Sequence, residues 1–200
     1  MSTTANTSAN ASIAGYTYGK ASVSSVTLAD LELLKATVLF GNDDVAALNM
    51  AADVLRDQTD DILDVWYGFV GANPHLLAYF SKNSVPDTNY LSAVRSRFGA
   101  WILDLCMRPF DQDWLNYQQE IAFRHHSTKK NQTDNAEAAP IIHFRYLIAF
   151  IVPLTATIKP FLAKKGHTAA EVEAMHSAWF KALTLTALLW SHPYINKGEF

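Results

Sequence analysis

Two adjacent histidines, His125 and His126, follow an apolar run and precede a polar, basic segment. Successive residues of an α-helix point about 100° apart, so the two imidazoles face different surroundings. His125 continues an apolar stripe formed by Trp114, Tyr117 and Ile121, at helical steps of three, four and four residues. The stripe that ends at His126 is more polar. We therefore expect His125 to point into the core and His126 toward the rim.

The inward position of His125 has two interpretations. A core histidine that bonds a single backbone carbonyl is the simpler one, since short motifs often match by chance. The other is a metal ligand, because imidazole is the commonest protein ligand for transition metals. A cage of protein ligands needs more residues, and the sequence has neither an H-E-x-x-H motif nor a second histidine on this stripe. A haem pocket needs only one axial ligand and apolar walls.

Three further segments carry aromatic and apolar residues at helical spacing. These candidate pocket residues are Trp66 and Tyr67, then Val94, Arg97 and Phe98, and finally Leu147, Phe150 and Leu154. Ordinary core packing explains each of them taken singly. Tyr67 is more informative, because a buried phenol needs a polar partner. The basic residues Arg97, Arg124, Lys129 and Lys130 are either a solvated surface or partners for carboxylates of a ligand.

Composition narrows the class of protein. Half of the 200 residues are hydrophobic and 12% are aromatic, which excludes a disordered chain. A net charge of −3 gives no electrostatic support for binding nucleic acid or an anionic membrane. The single cysteine, Cys106, excludes an intrachain disulfide and is consistent with the cytoplasm. Residues 1–15 have the composition of a flexible tail and no secretory signal, and residues 16–200 are expected to form one domain.

Helical periodicity dominates the chain and predicts an all-α protein of seven or eight helices. Thr27, Asp111 and Thr168 are expected to cap helices. The long apolar segment after Pro140 is expected to begin a buried core helix at that proline, and Pro153 is expected to kink or interrupt it. Its charged residues and two prolines argue against a membrane span.

Several long blocks of the sequence resemble the protoglobin family, single-domain haem proteins related to the sensor domains of globin-coupled sensors. The similarity extends from about Gly15 to the C-terminus. The blocks are AGYTYG, LDVWYGFVGANPHLL, VRSRFGAWILD, FRHHSTKKNQTDN, RYLIAFIVPLTATIKPFLAKKGHT, AWFKA and LWSHPY. The resemblance implies a globin fold around haem b, with an additional N-terminal helix and an N-terminal extension.

The same resemblance implies a role for individual residues. The first histidine of the RHH motif, here His125, would be the proximal iron ligand. The distal face would be formed by Trp66, Tyr67 and Phe98. The long helix would place Leu147, Phe150 and Leu154 against the haem, and Val94 and Arg97 complete the candidate cofactor-binding set. Members of this family bind O₂, CO and NO and typically form homodimers through the last two long helices.

Three functions remain open from the sequence. The first is gas binding or sensing at a five-coordinate haem iron. The second is a haem enzyme with peroxidase-, NO-dioxygenase-, nitrite-reductase- or carbene-transfer-type activity. No distal acid–base histidine is evident near Tyr67 or Phe98, and His75, the nearest along the chain, is expected at a loop or in solvent. The third is a cofactor-free helical interaction module, in which His125 and the aromatic residues only pack.

Overall fold

The structure, a computed structural model, describes residues 13–200, and their architecture is all-α as predicted. A two-residue antiparallel strand pair, β1 (Ser81–Lys82) and β2 (Val85–Pro86), was not anticipated from the sequence. The eight α-helices of residues 13–200 are α1 (Leu28–Thr37), α2 (Asn42–Leu55), α3 (Thr59–Ala72), α4 (Pro74–Leu77), α5 (Thr88–Met107), α6 (Gln112–His125), α7 (Phe144–Leu162) and α8 (Ala169–Ser191).

Local side-chain chemistry fixes several helix starts where the sequence predicted them. The Thr27 side chain accepts the Asp30 N–H, and Thr168 accepts the Glu171 N–H, each completed by the reciprocal bond of a capping box. Asp111 caps α6 by accepting the N–H of Trp114. Such caps satisfy backbone donors that have no partner inside the helix and stabilise each start by about 1 kcal/mol.

The predicted start of the long helix was wrong. Helix α7 begins at Phe144 rather than at Pro140, because the preceding residues are tied to the end of α6: the Ile142 N–H donates to the His125 carbonyl at 2.9 Å. The helix also passes through Pro153 and Pro160 without ending. The carbonyls that lose a donor belong to the residues four positions earlier, Ala149 and Ala156, and both residues are exposed, so water can satisfy them.

Helix α8 lies at the centre of the packing, in contact with α2, α6 and α7, while α5 packs on α2 and α3. Trp179 of α8 is fully buried in the main core, together with Leu48, Ile102 and Leu162 from three other helices. Helix α6 is buried on both stripes, because Leu115, Gln118 and Ala122 on the stripe that leads to His126 are buried as well. Helical spacing alone therefore does not turn His126 outward. His126 lies outside the core because it follows His125, the last residue of α6, and its own backbone is extended.

Helix α7 is strongly apolar in composition. With its 3-10 extension, residues 144–165 are the one described segment long and apolar enough to cross a membrane by length and composition alone. Leu154, Ile158 and Leu162 lie in the core, as expected of a core helix. Ile148 and Val152 lie on the opposite, exposed side, so the helix is less buried than predicted.

Candidate functional site

A cavity of about 240 Å³ lies between α3, α5, α6, α7 and α8. One water needs about 10–15 Å³ on the same measure, so the cavity accepts a ligand far larger than water. The structure brings together at this cavity all nine residues that the sequence singled out: Trp66, Tyr67, Val94, Arg97, Phe98, His125, Leu147, Phe150 and Leu154. Most of the lining is apolar or aromatic, and its polar groups come mainly from α6 and the loop that follows.

His125 supplies the one imidazole among the described residues that line the cavity. Its Nδ1 lies 2.8 Å from the Ile121 carbonyl, which must accept a hydrogen bond, so Nδ1 carries the proton. Burial lowers the pKa of the imidazole to about 4, opposed by the bond to Ile121 and assisted by the charges of Lys130 and Arg124. The ring is therefore neutral at pH 7. Its Nε2 makes no hydrogen bond within residues 13–200 and keeps a free lone pair.

This donor set fits a metal that brings most of its own ligands. Residues 13–200 contain no cluster of three or more histidine, cysteine, aspartate or glutamate side chains that could hold an ion. A porphyrin supplies four nitrogens and asks the protein for one axial nitrogen and an apolar enclosure. Neutral His125, with Nδ1 engaged and Nε2 free, meets that requirement.

A second wall of the cavity comes from α3 and α5. The Trp66 indole lies 5.0 Å from the Phe98 ring, and its N–H donates to the Thr157 hydroxyl at 2.8 Å. The Tyr67 hydroxyl makes no hydrogen bond to any residue in the described range, and burial raises its pKa, so it stays protonated. Tyr67 is thus the free hydrogen-bond donor of this wall.

Cationic side chains close another side of the cavity, and each already has an anionic partner. Arg97 forms a two-pronged ion pair with Asp134, with Nη1 and Oδ1 2.9 Å apart. Arg124 and Lys129 both bind Glu120, at 2.9 and 2.6 Å.

Lys130 is not part of this group. Its side chain is buried, and its Nζ donates to the Tyr79 carbonyl at 3.1 Å and to the Asn131 side chain at 2.7 Å. Burial lowers its pKa to about 8. Lys130 does not line the cavity, so its interpretation as a carboxylate partner was wrong. It holds the loop after α6 in place instead.

The segment before α1 lies against the two arginines of the cavity. Arg97 donates to the Ala14 carbonyl at 3.0 Å, and Arg124 donates to the Gly15 carbonyl at 2.7 Å. Gly15 has φ +75°, and a Cβ there would lie 2.7 Å from a methyl group of Thr133 and 2.8 Å from Arg97 Nη1. Only glycine suits this position. The predicted tail of residues 1–15 lies mostly outside the described residues, but Ala14 and Gly15 pack against the helices.

The remaining histidines singled out from the sequence lie away from the cavity lining. His126 Nδ1 lies 2.7 Å from the Thr128 hydroxyl beyond the end of α6, which confirms that the pair divides into one inward and one outward residue. His75 is exposed on α4, with its ring 5.6 Å from that of Tyr146.

Sequence reasoning missed two contacts of the site. Trp190 stacks on the His125 ring, with centroids 4.7 Å apart and planes 25° apart, and Thr157 fixes Trp66. Trp190 lies on α8, and no sequence signal pairs it with a residue of α6. Trp179, Leu183 and Thr186 of the same helix are buried within the chain.

Fold and site together define an all-α protein whose helices enclose an apolar cavity with one neutral, metal-competent imidazole. Residues 27–200 match the family model Protoglobin, and the chain belongs to that family. Membership confirms the resemblance recognised in the sequence and implies a globin fold, a haem cofactor and gas ligands. A comparison with curated proteins found no match.

Proposed function

We propose that the cavity holds haem b, that His125 is the proximal iron ligand, and that the protein binds O₂, CO and NO in gas binding or sensing. The observation that carries this proposal is the state of His125. Its imidazole is neutral and oriented by the Ile121 carbonyl, and its Nε2 has no partner in residues 13–200. Haem iron, when bound, supplies the coordination position for a diatomic gas.

The other walls have distinct roles in this proposal. Trp66 and Phe98 line the cavity with aromatic faces, which would exclude water from the gas side of a bound haem. The free hydroxyl of Tyr67 would donate a hydrogen bond to a polar gas ligand. Val94, Leu147, Phe150 and Leu154 also line the cavity and would contact the apolar faces of the macrocycle.

The cations of the cavity serve the haem carboxylates. Arg97, Arg124 and Lys129 line the same side, and Arg–carboxylate pairs are among the stronger hydrogen-bonded contacts in proteins. Arg97, Arg124 and Lys129 would bind the haem carboxylates beside, or in place of, Asp134 and Glu120.

Haemin reconstitution tests the proposal. Purified protein titrated with haemin is expected to gain a Soret band that shifts on reduction and again on addition of CO. Haemin should also raise the unfolding temperature, because a ligand specific to the native state stabilises it. A folded protein that stays colourless and is not stabilised by haemin would support the cofactor-free alternative.

A dedicated peroxidase is less well supported by the cavity. Among the described residues that line it, the only histidine is His125, so no second imidazole is available as a distal acid–base group. The enzymatic alternative is tested by steady-state turnover with peroxide: a rate far above that of free haemin would favour it.

We further propose a homodimer through the exposed faces of α7 and α8. Ile148 and Val152 are 41% and 69% exposed on α7, and Phe180 of α8 is 49% exposed. Sedimentation equilibrium is expected to give a dimer for the wild type and a monomer for Val152→Glu. A Val152→Glu protein that stays dimeric would place the interface elsewhere.

Cytoplasmic location without nucleic-acid or membrane partners is also proposed. The net charge of −3 gives no basis for attraction to phosphate polymers, and Cys106 is a buried free thiol. Co-sedimentation with anionic vesicles should leave the protein in the supernatant, and pelleting would contradict the proposal.

A further inference from the structure

The imidazole of His125 lies between two contacts from different parts of the chain. On its own helix, the Ile121 carbonyl lies 2.8 Å from Nδ1. From α8, the Trp190 indole stacks on the ring at 4.7 Å and 25°. The hydrogen bond restricts the direction of one ring edge, and the stack restricts the plane of the ring. Together they leave the imidazole one orientation in the cavity.

Trp190 is itself held in place. Its N–H donates to the Gln118 side-chain oxygen at 3.0 Å, and Gln118 is only 2% exposed on α6. Its indole also packs on that of Trp101 at 5.8 Å, and Trp101 in turn contacts Trp179 in the core. A buried N–H needs a partner, so the bond to Gln118 selects this indole position over others.

We propose that Trp190, held by Gln118, is a positioning residue that fixes the plane of the His125 imidazole and thereby sets the strength of its bond to iron. This inference rests on the proposed haem function. A hydrogen bond from Nδ1 to a carbonyl raises the basicity of the ligating nitrogen. Rotation of the ring would lengthen the bond to Ile121 and reduce that basicity. The stack prevents the rotation, so an aromatic residue of α8 determines a property of the ligand on α6.

Three variants separate the stack from the hydrogen bond. Trp190→Leu removes both, Trp190→Phe keeps an aromatic face without the N–H, and Gln118→Met removes only the acceptor. Trp114→Phe is the matched control, because Trp114 is a fully buried tryptophan of the His125 helix that does not line the cavity. Its N–H has no partner within the described range, so its substitution breaks no hydrogen bond there.

The direct measurement is the iron–histidine stretching band of the ferrous proteins by resonance Raman spectroscopy. Trp190→Leu is expected to give a band that is broader and shifted to lower frequency than in the wild type. Gln118→Met should shift it less, Trp190→Phe should recover most of the wild-type frequency, and Trp114→Phe should not differ. A wild-type frequency and width in Trp190→Leu and Gln118→Met would overturn the inference. An absent band in the wild type would instead overturn the proposed function.

A second measurement needs no haem and remains decisive if Trp190→Leu fails to take up the cofactor. The Nδ1 proton of His125 is expected to exchange slowly with solvent in the haem-free wild type, by nuclear magnetic resonance. Trp190→Leu should lose that protection, Gln118→Met should lose part of it, Trp190→Phe should keep most of it, and Trp114→Phe should keep all of it. Equal protection in the wild type and all four variants would contradict the role assigned to Trp190.

Discussion

The Trp66 indole N–H donates to the Thr157 hydroxyl at 2.8 Å and so joins α3 to α7 across the edge of the cavity. Thr157→Val keeps the shape of the side chain but leaves a buried donor without a partner. We expect the free energy of unfolding to fall by about 1–3 kcal/mol, the cost of an unsatisfied buried polar group. Urea denaturation of the haem-free protein measures the change.

Thr155→Val is the matched control for that prediction. Thr155 lies on the same helix, and its hydroxyl is buried without a partner in the described part of the chain. Its removal should leave stability unchanged or raise it. Equal losses in the two variants would show that the hydrogen bond to Trp66 carries no stability of its own.

Asp134 neutralises Arg97 at the cavity, with both side chains nearly buried. Asp134→Asn is expected to lower the free energy of unfolding of the haem-free protein by about 1.5–3 kcal/mol, as for hydrogen bonds to charged groups. The loss should be smaller after haemin is added, because a haem carboxylate then partners Arg97. Asp64→Asn removes the closer of the two exposed partners of Arg95 and should cost less than about 1 kcal/mol. An equal loss with and without haemin would argue that Arg97 does not bind the cofactor.

Gly15 and Gly19 form a natural pair for testing the segment before α1. Both have positive φ, +75° and +73°, but only at Gly15 would a Cβ lie within 4 Å of a neighbouring side chain. Gly19→Ala should therefore cost only backbone strain, about 1–2 kcal/mol. Gly15→Ala should cost more and should speed haem transfer to an apoglobin acceptor, because Arg97 and Thr133 must move. The same rate of haem loss in the two variants would show that the packing of Gly15 against Arg97 and Thr133 does not help to retain haem in the cavity.

Burial of His125 makes the stability of the haem-free protein depend on pH. Its pKa is about 4 in the folded chain, below the ordinary value of about 6.5 in an unfolded one. Between these values the unfolded state binds more protons, so the free energy of unfolding increases with pH. The contribution of the neutral His125 imidazole to the free energy of unfolding is complete above a pH of about 6.5 and is lost as the pH falls toward 4.

Urea denaturation across that pH range tests this dependence. His125→Phe should show a smaller slope of unfolding free energy against pH than the wild type. Equal slopes in the wild type and His125→Phe would mean that the His125 imidazole takes up protons as readily in the folded state as in the unfolded one.

The sequence predicted most of the site because its signals are local. Helical spacing correctly turned His125 inward, and the caps at Thr27, Asp111 and Thr168 were confirmed. His126 lies outside for another reason, because α6 ends at His125 and the backbone of His126 is extended. The choice between a core histidine and an iron ligand came from the family resemblance, since spacing alone favoured the former.

Contacts between distant segments explain what the sequence missed. The stack of Trp190 on His125 depends on how α8 lies across α6, which no periodicity encodes. The late start of α7 depends on the bond from the Ile142 N–H to the His125 carbonyl. Lys130 looked like a solvated cation in a basic loop, but the Tyr79 carbonyl and the Asn131 side chain bind it in the interior.

The central claim is that His125 holds the iron, and resonance Raman spectroscopy of ferrous His125→Gly tests it most directly. The wild type and His126→Gly should both show an iron–histidine stretching band. His125→Gly should lose it, and added imidazole should restore an iron–imidazole band by filling the space that the side chain leaves. An unchanged iron–histidine band in His125→Gly without imidazole would contradict the account.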